Sequence, residues 1–154
     1  MKKLTLLAIL ICCSLGFVQQ AQAQENYTEG PVWVVSYYRT KPGKFEDYMK
    51  FLRANFAKNV AKQKQAGIIV DSKVLINPAV AGPEDWDVAI AYLYSDFGRL
   101  NYNQSVEDQL EKFAEEISGE RNKDKRDTKL DTTRFPLRDF IRVRFLREIT
   151  LKPQ

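Results

Sequence analysis

The sequence contains no histidine and only two cysteines, Cys12 and Cys13, which are adjacent in an apolar stretch near the amino terminus. If that stretch is removed, the remaining chain has neither residue type. This excludes the usual zinc and copper ligand sets, Ser-His and Cys-His nucleophile pairs, and a histidine general base. It also excludes a disulfide. We therefore expect no metal and no other cofactor, and we assign no catalytic residue.

Residues 1–23 have the pattern of a secretory signal peptide. Two lysines precede an apolar run over 4–18, and the Ala-Gln-Ala sequence at 21–23 offers the small residues that a signal peptidase recognises. The run is shorter than the roughly 20 residues of a spanning helix, so an uncleaved anchor is the less favoured alternative. A lipoprotein is excluded because Ile11, rather than a small residue, precedes Cys12. We predict a secreted or periplasmic protein with no membrane association after cleavage.

Loss of this leader changes the charge of the chain. The formal net charge falls from +4 to +2, because two lysines and no acidic residues are removed. So small a net charge argues against a nucleic-acid partner. Residues 24–154 remain, and they suffice for a single domain with one hydrophobic core.

Hydrophobic periodicity divides this domain into strands and helices. An alternating aromatic run ends at the Pro-Gly turn at 42–43 and gives way at once to a helical stripe. Phe51 lies off that stripe and is expected to be exposed or to contact a partner. Residues at about 119–135 carry charges of both signs and are predicted to form a solvated loop, an insert before the last strand. The predicted strands cover about 32–40, 68–76, 86–94 and 139–151, and the predicted helices 45–66 and 105–118.

This order of elements predicts an α+β fold of the ferredoxin-like βαββαβ type, a four-stranded antiparallel sheet with two helices on one face. The first and third strands are apolar on both faces, and two helices can cover only one of them. Because a soluble monomer rarely exposes such a face, we predict that two sheets pair face to face in a homodimer.

Four segments of the chain carry a family resemblance: 34–38 (Val-Val-Ser-Tyr-Tyr), 41–48 (Lys-Pro-Gly-Lys-Phe-Glu-Asp-Tyr), 86–94 and 97–117. They resemble the dimeric α+β barrel superfamily, which includes antibiotic-biosynthesis-monooxygenase-like, NIPSNAP-like and EthD-like domains. The resemblance spans most of 31–151. It implies a dimeric barrel whose ligand lies between the helices and the sheet or within the barrel. The charged insert departs from compact members, and the histidine that haem-degrading relatives use is missing, so no catalytic role is carried over.

The best candidate for a binding site is a group of tyrosines and arginines on three predicted strands. Arginine offers forked donors to carboxylates and tyrosine offers an amphipathic wall, which would suit a small aromatic or acidic ligand. The alternative is that the arginines face solvent or join two subunits while the tyrosines belong to the core. The predicted ligand-binding residues are Tyr37, Arg39, Tyr92, Tyr94, Arg142 and Arg144.

Three classes of function remain. The first is a secreted dimeric module that binds a small aromatic or acidic molecule, and the second is a cofactor-independent monooxygenase-like enzyme that uses the same cavity. The third is a nucleic-acid or membrane-surface binder that uses the charged loop. The missing histidine weakens the second class and the small net charge weakens the third. We predict the binding module, with the enzyme as the alternative.

Overall fold

The computed structural model describes residues 26–153, so the predicted signal peptide lies outside the described part of the chain. Residues 29–150 form one compact unit, and the chain ends belong to a second. Within that second unit the Lys152 amide donates a hydrogen bond to the Asn26 carbonyl, over 2.9 Å. No helix between residues 26 and 153 has the length and apolar character needed to cross a bilayer.

The described residues alternate between strands and helices. The elements are β1 (Tyr27–Thr40), α1 (Phe45–Phe51), a π-helical segment (Leu52–Phe56), α2 (Ala57–Gln65), β2 (Asp71–Ile76), β3 (Val88–Tyr94), a 3-10 turn (Phe97–Leu100), α3 (Gln104–Ser118), α4 (Lys123–Arg134) and β4 (Arg138–Leu151). Because α1, the π segment and α2 follow one another without a break, we call them together the first helix.

The four strands form one antiparallel sheet in the order β2-β3-β1-β4. The amide of Lys41 donates to the carbonyl of Leu137 over 2.9 Å, which ties the end of β1 to the start of β4. The predicted α+β class and four-stranded antiparallel sheet are confirmed, and the order of elements is compatible with a ferredoxin-like fold.

The prediction of a solvated loop at about 119–135 is wrong, because Lys123–Arg134 form helix α4. This helix begins at Asn122, whose side chain caps it by accepting a hydrogen bond from the amide of Lys125, over 2.9 Å. The sequence shows no apolar stripe for this helix, because Leu130 is its only apolar residue. The sheet therefore carries a further helix beyond the two that were predicted.

The main core lies between the first helix and one face of the sheet. Tyr48 and Leu52 are buried there against Val88 and Ile90 of β3. Gly43 makes this packing possible, since its φ of 72° allows a tight turn from β1 into α1. Burying each large side chain contributes about 1.5–3 kcal/mol, so this cluster fixes the first helix on the sheet.

The opposite face of the sheet carries a second buried cluster. It consists of Val35, Ala89 and Ala91, with the side chains of Trp33, Tyr37 and Trp86 packed against it. The rings of Tyr37 and Trp86 meet edge to face with their centres 5.0 Å apart. The small residues of this face are thus covered by aromatic neighbours from the same chain.

Large exposed apolar side chains are concentrated on β4, the strand at one edge of the sheet. They are Phe140, Val143, Phe145, Leu146, Ile149 and Leu151. β2, the strand at the other edge, also exposes apolar side chains at Val74, Leu75 and Ile76.

Candidate binding site

A cavity of about 250 Å³ lies between the sheet, the first helix, α3 and α4. The sheet contributes Ser36, Tyr38, Ile90, Tyr92 and Arg138; the first helix contributes Tyr48, Phe51, Leu52, Asn55, Phe56 and Asn59; α3 contributes Ala114, Ile117 and Ser118; α4 contributes Arg126, Leu130 and Arg134. The walls are largely aromatic and aliphatic. The charged residues of this lining are three arginines, without any carboxylate.

The π-helical segment of the first helix lies beside this cavity. Segments of this kind are rare and are often found at functional sites. The side-chain amide of Asn55 donates to the carbonyl of Phe51 over 3.0 Å. Phe51 itself, expected to be exposed or to contact a partner, instead lines the cavity and stacks on Tyr48 with ring centres 6.2 Å apart. Phe51 is three residues after Tyr48 in α1, the spacing at which two side chains of a helix are neighbours.

Arg138, at the start of β4, lies over aromatic rings. Its guanidinium carbon is 3.6 Å from the ring centre of Tyr38 and 5.4 Å from that of Tyr48. Its Nε is buried and has no hydrogen-bond partner. Among the described residues, no carboxylate lies within ion-pair distance of Arg138. The cation is held by these aromatic faces and by the neighbouring Tyr48 hydroxyl.

Arg126 and Arg134 reach the cavity from α4, where they lie about two helical turns apart on one side. Arg126 is only 2% exposed, and it donates to the carboxylate of Glu111 and, over 3.2 Å, to the carbonyl of Glu120. Arg134 pairs with Asp131 at 2.5 Å. The Nε of each arginine is buried without a hydrogen-bond partner.

The hydroxyl of Tyr48 is also buried, and the guanidinium of Arg138 is its neighbour, acting on it through charge and hydrogen bonding. Burial raises the pKa of Tyr48 far above its ordinary value, and the nearby charge of Arg138 opposes this only in part. Burial also raises the pKa of Tyr92 strongly. Both phenols therefore stay protonated at neutral pH and act as hydrogen-bond donors rather than as bases.

These unpartnered donors define what the cavity can bind. A buried donor without a partner costs about 1–3 kcal/mol, and more when it carries a charge. Native proteins satisfy nearly all such groups, so each exception needs an explanation. An anionic group in the cavity would accept hydrogen bonds from the guanidinium groups and from the phenol.

The six residues predicted to bind ligand do not come together in one place. Tyr92 lines the cavity, where its ring centre lies 5.6 Å from that of Phe56. Tyr37 is on the opposite face, since it pairs with Ala89 whereas Tyr92 pairs with Val34, and side chains alternate along a strand.

The remaining predicted residues are spread over the molecule. Arg142 lies 5.4 Å from the ring centre of Tyr37, on the face away from the helices. Arg39 lines a groove at the turn into the first helix, and Tyr94 lines a separate cavity beside α3. Arg144 is exposed on β4. Sequence reasoning thus found one residue of the cavity and missed its three arginines.

One signal in the sequence could have located two of those arginines. Arg126, Leu130 and Arg134 recur at the spacing of one helix side, and Asn122 is a good capping residue just before them. The pattern was missed because arginine usually marks the solvent side of a helix.

Comparison of the chain with protein-family models, with curated proteins and with solved structures found no match. The resemblance to the dimeric α+β barrel superfamily therefore stays a prediction. Within the described part of the chain, no group of three or more acidic side chains is placed to hold a metal ion.

Proposed function

We propose that the protein is a binding module for a small acidic molecule with an aromatic or apolar body, held in the cavity between the helices and the sheet. One observation carries this proposal: three arginines, each a multiple hydrogen-bond donor, line a cavity whose lining contains no carboxylate. A carboxylate could satisfy these donors with charge-assisted hydrogen bonds, which are among the strongest in proteins.

The walls of the cavity suit the rest of such a ligand. Phe51, Phe56 and Tyr92 offer ring faces and edges, and Ile90 and Ile117 offer aliphatic surface. Ligand pockets commonly have about 300–1,000 Å³, so a cavity of about 250 Å³ suits a molecule with one or two rings. Its position between helices and sheet is also one of the places that the superfamily resemblance implies.

The same lining makes binding the better interpretation than catalysis. A cofactor-independent monooxygenase-like enzyme would need a group to take a proton from its substrate or to stabilise charge. The cavity has no carboxylate or histidine in its lining, and burial keeps Tyr48 and Tyr92 protonated. Its residues can position and neutralise an anion, but they offer no general base at neutral pH.

Calorimetric titration with a panel of aromatic carboxylates, each paired with its neutral amide, tests this proposal. We expect at least one acid to bind about tenfold or more tightly than its amide, since a hydrogen bond to a charged group is worth about 1.5–3 kcal/mol. Native mass spectrometry would show whether such an acid co-purifies. Equal affinity for acids and amides, or binding of none of them, would contradict the proposal. Conversion of a bound acid under oxygen would favour the enzyme.

We also propose that the protein is exported and that it forms a homodimer. The predicted signal peptide supports export, and N-terminal sequencing of protein recovered from the periplasm or medium would test the cleavage after Ala23.

The exposed apolar side chains of β4 support a homodimer, because an edge strand can pair with the same strand of a second copy about a twofold axis. Light scattering should give a dimer mass that Phe145→Ser together with Ile149→Ser reduces to that of a monomer.

A further inference from the structure

Most of the charged side chains around the cavity pair with a side chain of opposite charge. At one end, Arg126 pairs with Glu111 and has Asp127 at 4.0 Å from its Nε. Lys123 lies 3.9 Å from the same Glu111 carboxylate. This group contains two positive and two negative charges, so it is neutral overall.

The other end of the cavity keeps one positive charge. Arg134 is neutralised by Asp131 at 2.5 Å. Arg138 lies against the rings of Tyr38 and Tyr48 and beside the Tyr48 hydroxyl, and no carboxylate of the described residues pairs with it. The cavity therefore has a surplus of one positive charge, and that charge is on Arg138.

We infer that the ligand carries a single carboxylate and that Arg138 and the Tyr48 hydroxyl bind it. This inference rests on the proposed function and narrows it to one class, aromatic or apolar monocarboxylates. Both residues line the cavity, and the Arg138 guanidinium carbon is 5.4 Å from the Tyr48 ring centre. A planar carboxylate accepts hydrogen bonds from an arginine and a phenol at the same time.

A single uncompensated positive charge favours a ligand with one negative charge over a neutral or a doubly charged ligand. A neutral amide would leave Arg138 uncompensated, so part of the desolvation cost of that cation would persist. A dicarboxylate would bring a second negative charge into a site where the other cations already have partners. An unpaired charge in an enclosed site is costly, so the dianion is disfavoured as well.

The experiment measures the affinities of benzoate, benzamide and terephthalate by calorimetry at neutral pH. We expect benzoate to bind about tenfold more tightly than benzamide, from the loss of a hydrogen bond to a charged group. Benzoate should also bind more tightly than terephthalate. Tyr48→Phe keeps the buried ring and removes one donor, so it should weaken benzoate several-fold and benzamide less, because the neutral amide carbonyl is the weaker acceptor.

The decisive variant is Glu111→Gln. It removes one negative charge beside Arg126, so the cavity then has two uncompensated positive charges instead of one. The ratio of terephthalate affinity to benzoate affinity should rise about tenfold, the scale of one charge-assisted hydrogen bond. This ratio cancels any general effect of ligand size or of the variant on folding. Glu115→Gln is the matched control: Glu115 is also on α3, but it pairs with the exposed Arg121 at 3.1 Å and lies outside the cavity lining.

The outcomes separate the two proposals. If benzoate binds no better than benzamide, or none of the three probes binds, both the proposed function and this inference fail. If benzoate binds better than benzamide but terephthalate binds best, or if Glu111→Gln and Glu115→Gln shift the ratio equally, only the monocarboxylate inference fails.

Discussion

Tyr37 and Tyr38 are neighbours on β1, and each lies beneath an arginine of β4, but the two pairs are on opposite faces of the sheet. On the helix side, Arg138 is 3.6 Å from the ring centre of Tyr38. On the other side, Arg142 is 5.4 Å from that of Tyr37. A cation over a ring is worth about 0.5–1 kcal/mol when exposed and about 2 or more when desolvated. The two pairs have the same residue types and differ in their surroundings. Helices cover the Arg138–Tyr38 pair, which makes it part of a candidate site, whereas the Arg142–Tyr37 pair is a surface contact.

The largest expected difference between the faces is in stability. Tyr48→Ala should lower the free energy of unfolding by about 3–5 kcal/mol, as for other large-to-small changes in a core, because its side chain is fully buried. Tyr37→Ala should cost clearly less, since Tyr37 is only partly buried. Urea unfolding followed by circular dichroism measures both. Equal losses would mean that the two faces are equally well packed.

The next difference concerns ligand affinity. Arg138→Gln should weaken binding of an aromatic acid by roughly tenfold to a hundredfold, since it removes a charged hydrogen-bond partner worth about 1.5–3 kcal/mol. Arg142→Gln is the matched control, because Arg142 is on the same strand and also lies over a tyrosine. Calorimetry should show no change for the control. If both variants bind the acid equally well, the cavity is not the binding site.

The smallest difference is in the alkaline pH dependence of stability. Burial raises the pKa of Tyr48, so the folded state keeps this proton where the unfolded state, with a pKa of about 10, loses it. The contribution is fully present below pH 10 and is lost as pH rises above that value, by about 1.4 kcal/mol per pH unit for one tyrosine.

Tyr48→Phe should reduce the slope of unfolding free energy against pH between about 10 and 11.5, the range just above an ordinary tyrosine pKa. The slope should not vanish, because burial raises the pKa of Tyr92 as well. Urea titrations at several pH values give the slope directly. An unchanged slope in the variant would show that Tyr48 ionises in the folded protein as it does in the unfolded chain.

The sheet and the first helix could be predicted because their apolar residues follow the periods of strand and helix. Strand β3, with a buried run from Val88 to Ala91, and the stripe through Tyr48 and Leu52 are examples. Boundaries were less accurate: β1 begins at Tyr27, well before the predicted start at residue 32.

For the candidate site, the sequence predicted the types of residue but not their positions. Tyrosine and arginine were expected, but the inward side of α4 consists of Arg126, Leu130 and Arg134, which has too little apolar surface to mark a buried stripe. Arg126 is buried where α4 packs against α3, whereas Arg134 stays partly exposed, and periodicity does not predict which helices pack together. Phe51 lies beside the apolar stripe of the first helix, and it became part of the lining because further helices pack against that side.

Helix α4 has a consequence for how a ligand enters and leaves. It has 12 residues, and isolated helices of fewer than about 12–15 residues are marginal in water. With Leu130 as its only apolar residue, it gains little from burial and depends on contacts such as the one between Arg126 and Glu111. Such an element opens at low free energy, well below that of global unfolding, and its amides exchange early. Local opening of α4 would therefore expose the cavity while the sheet beneath stays intact.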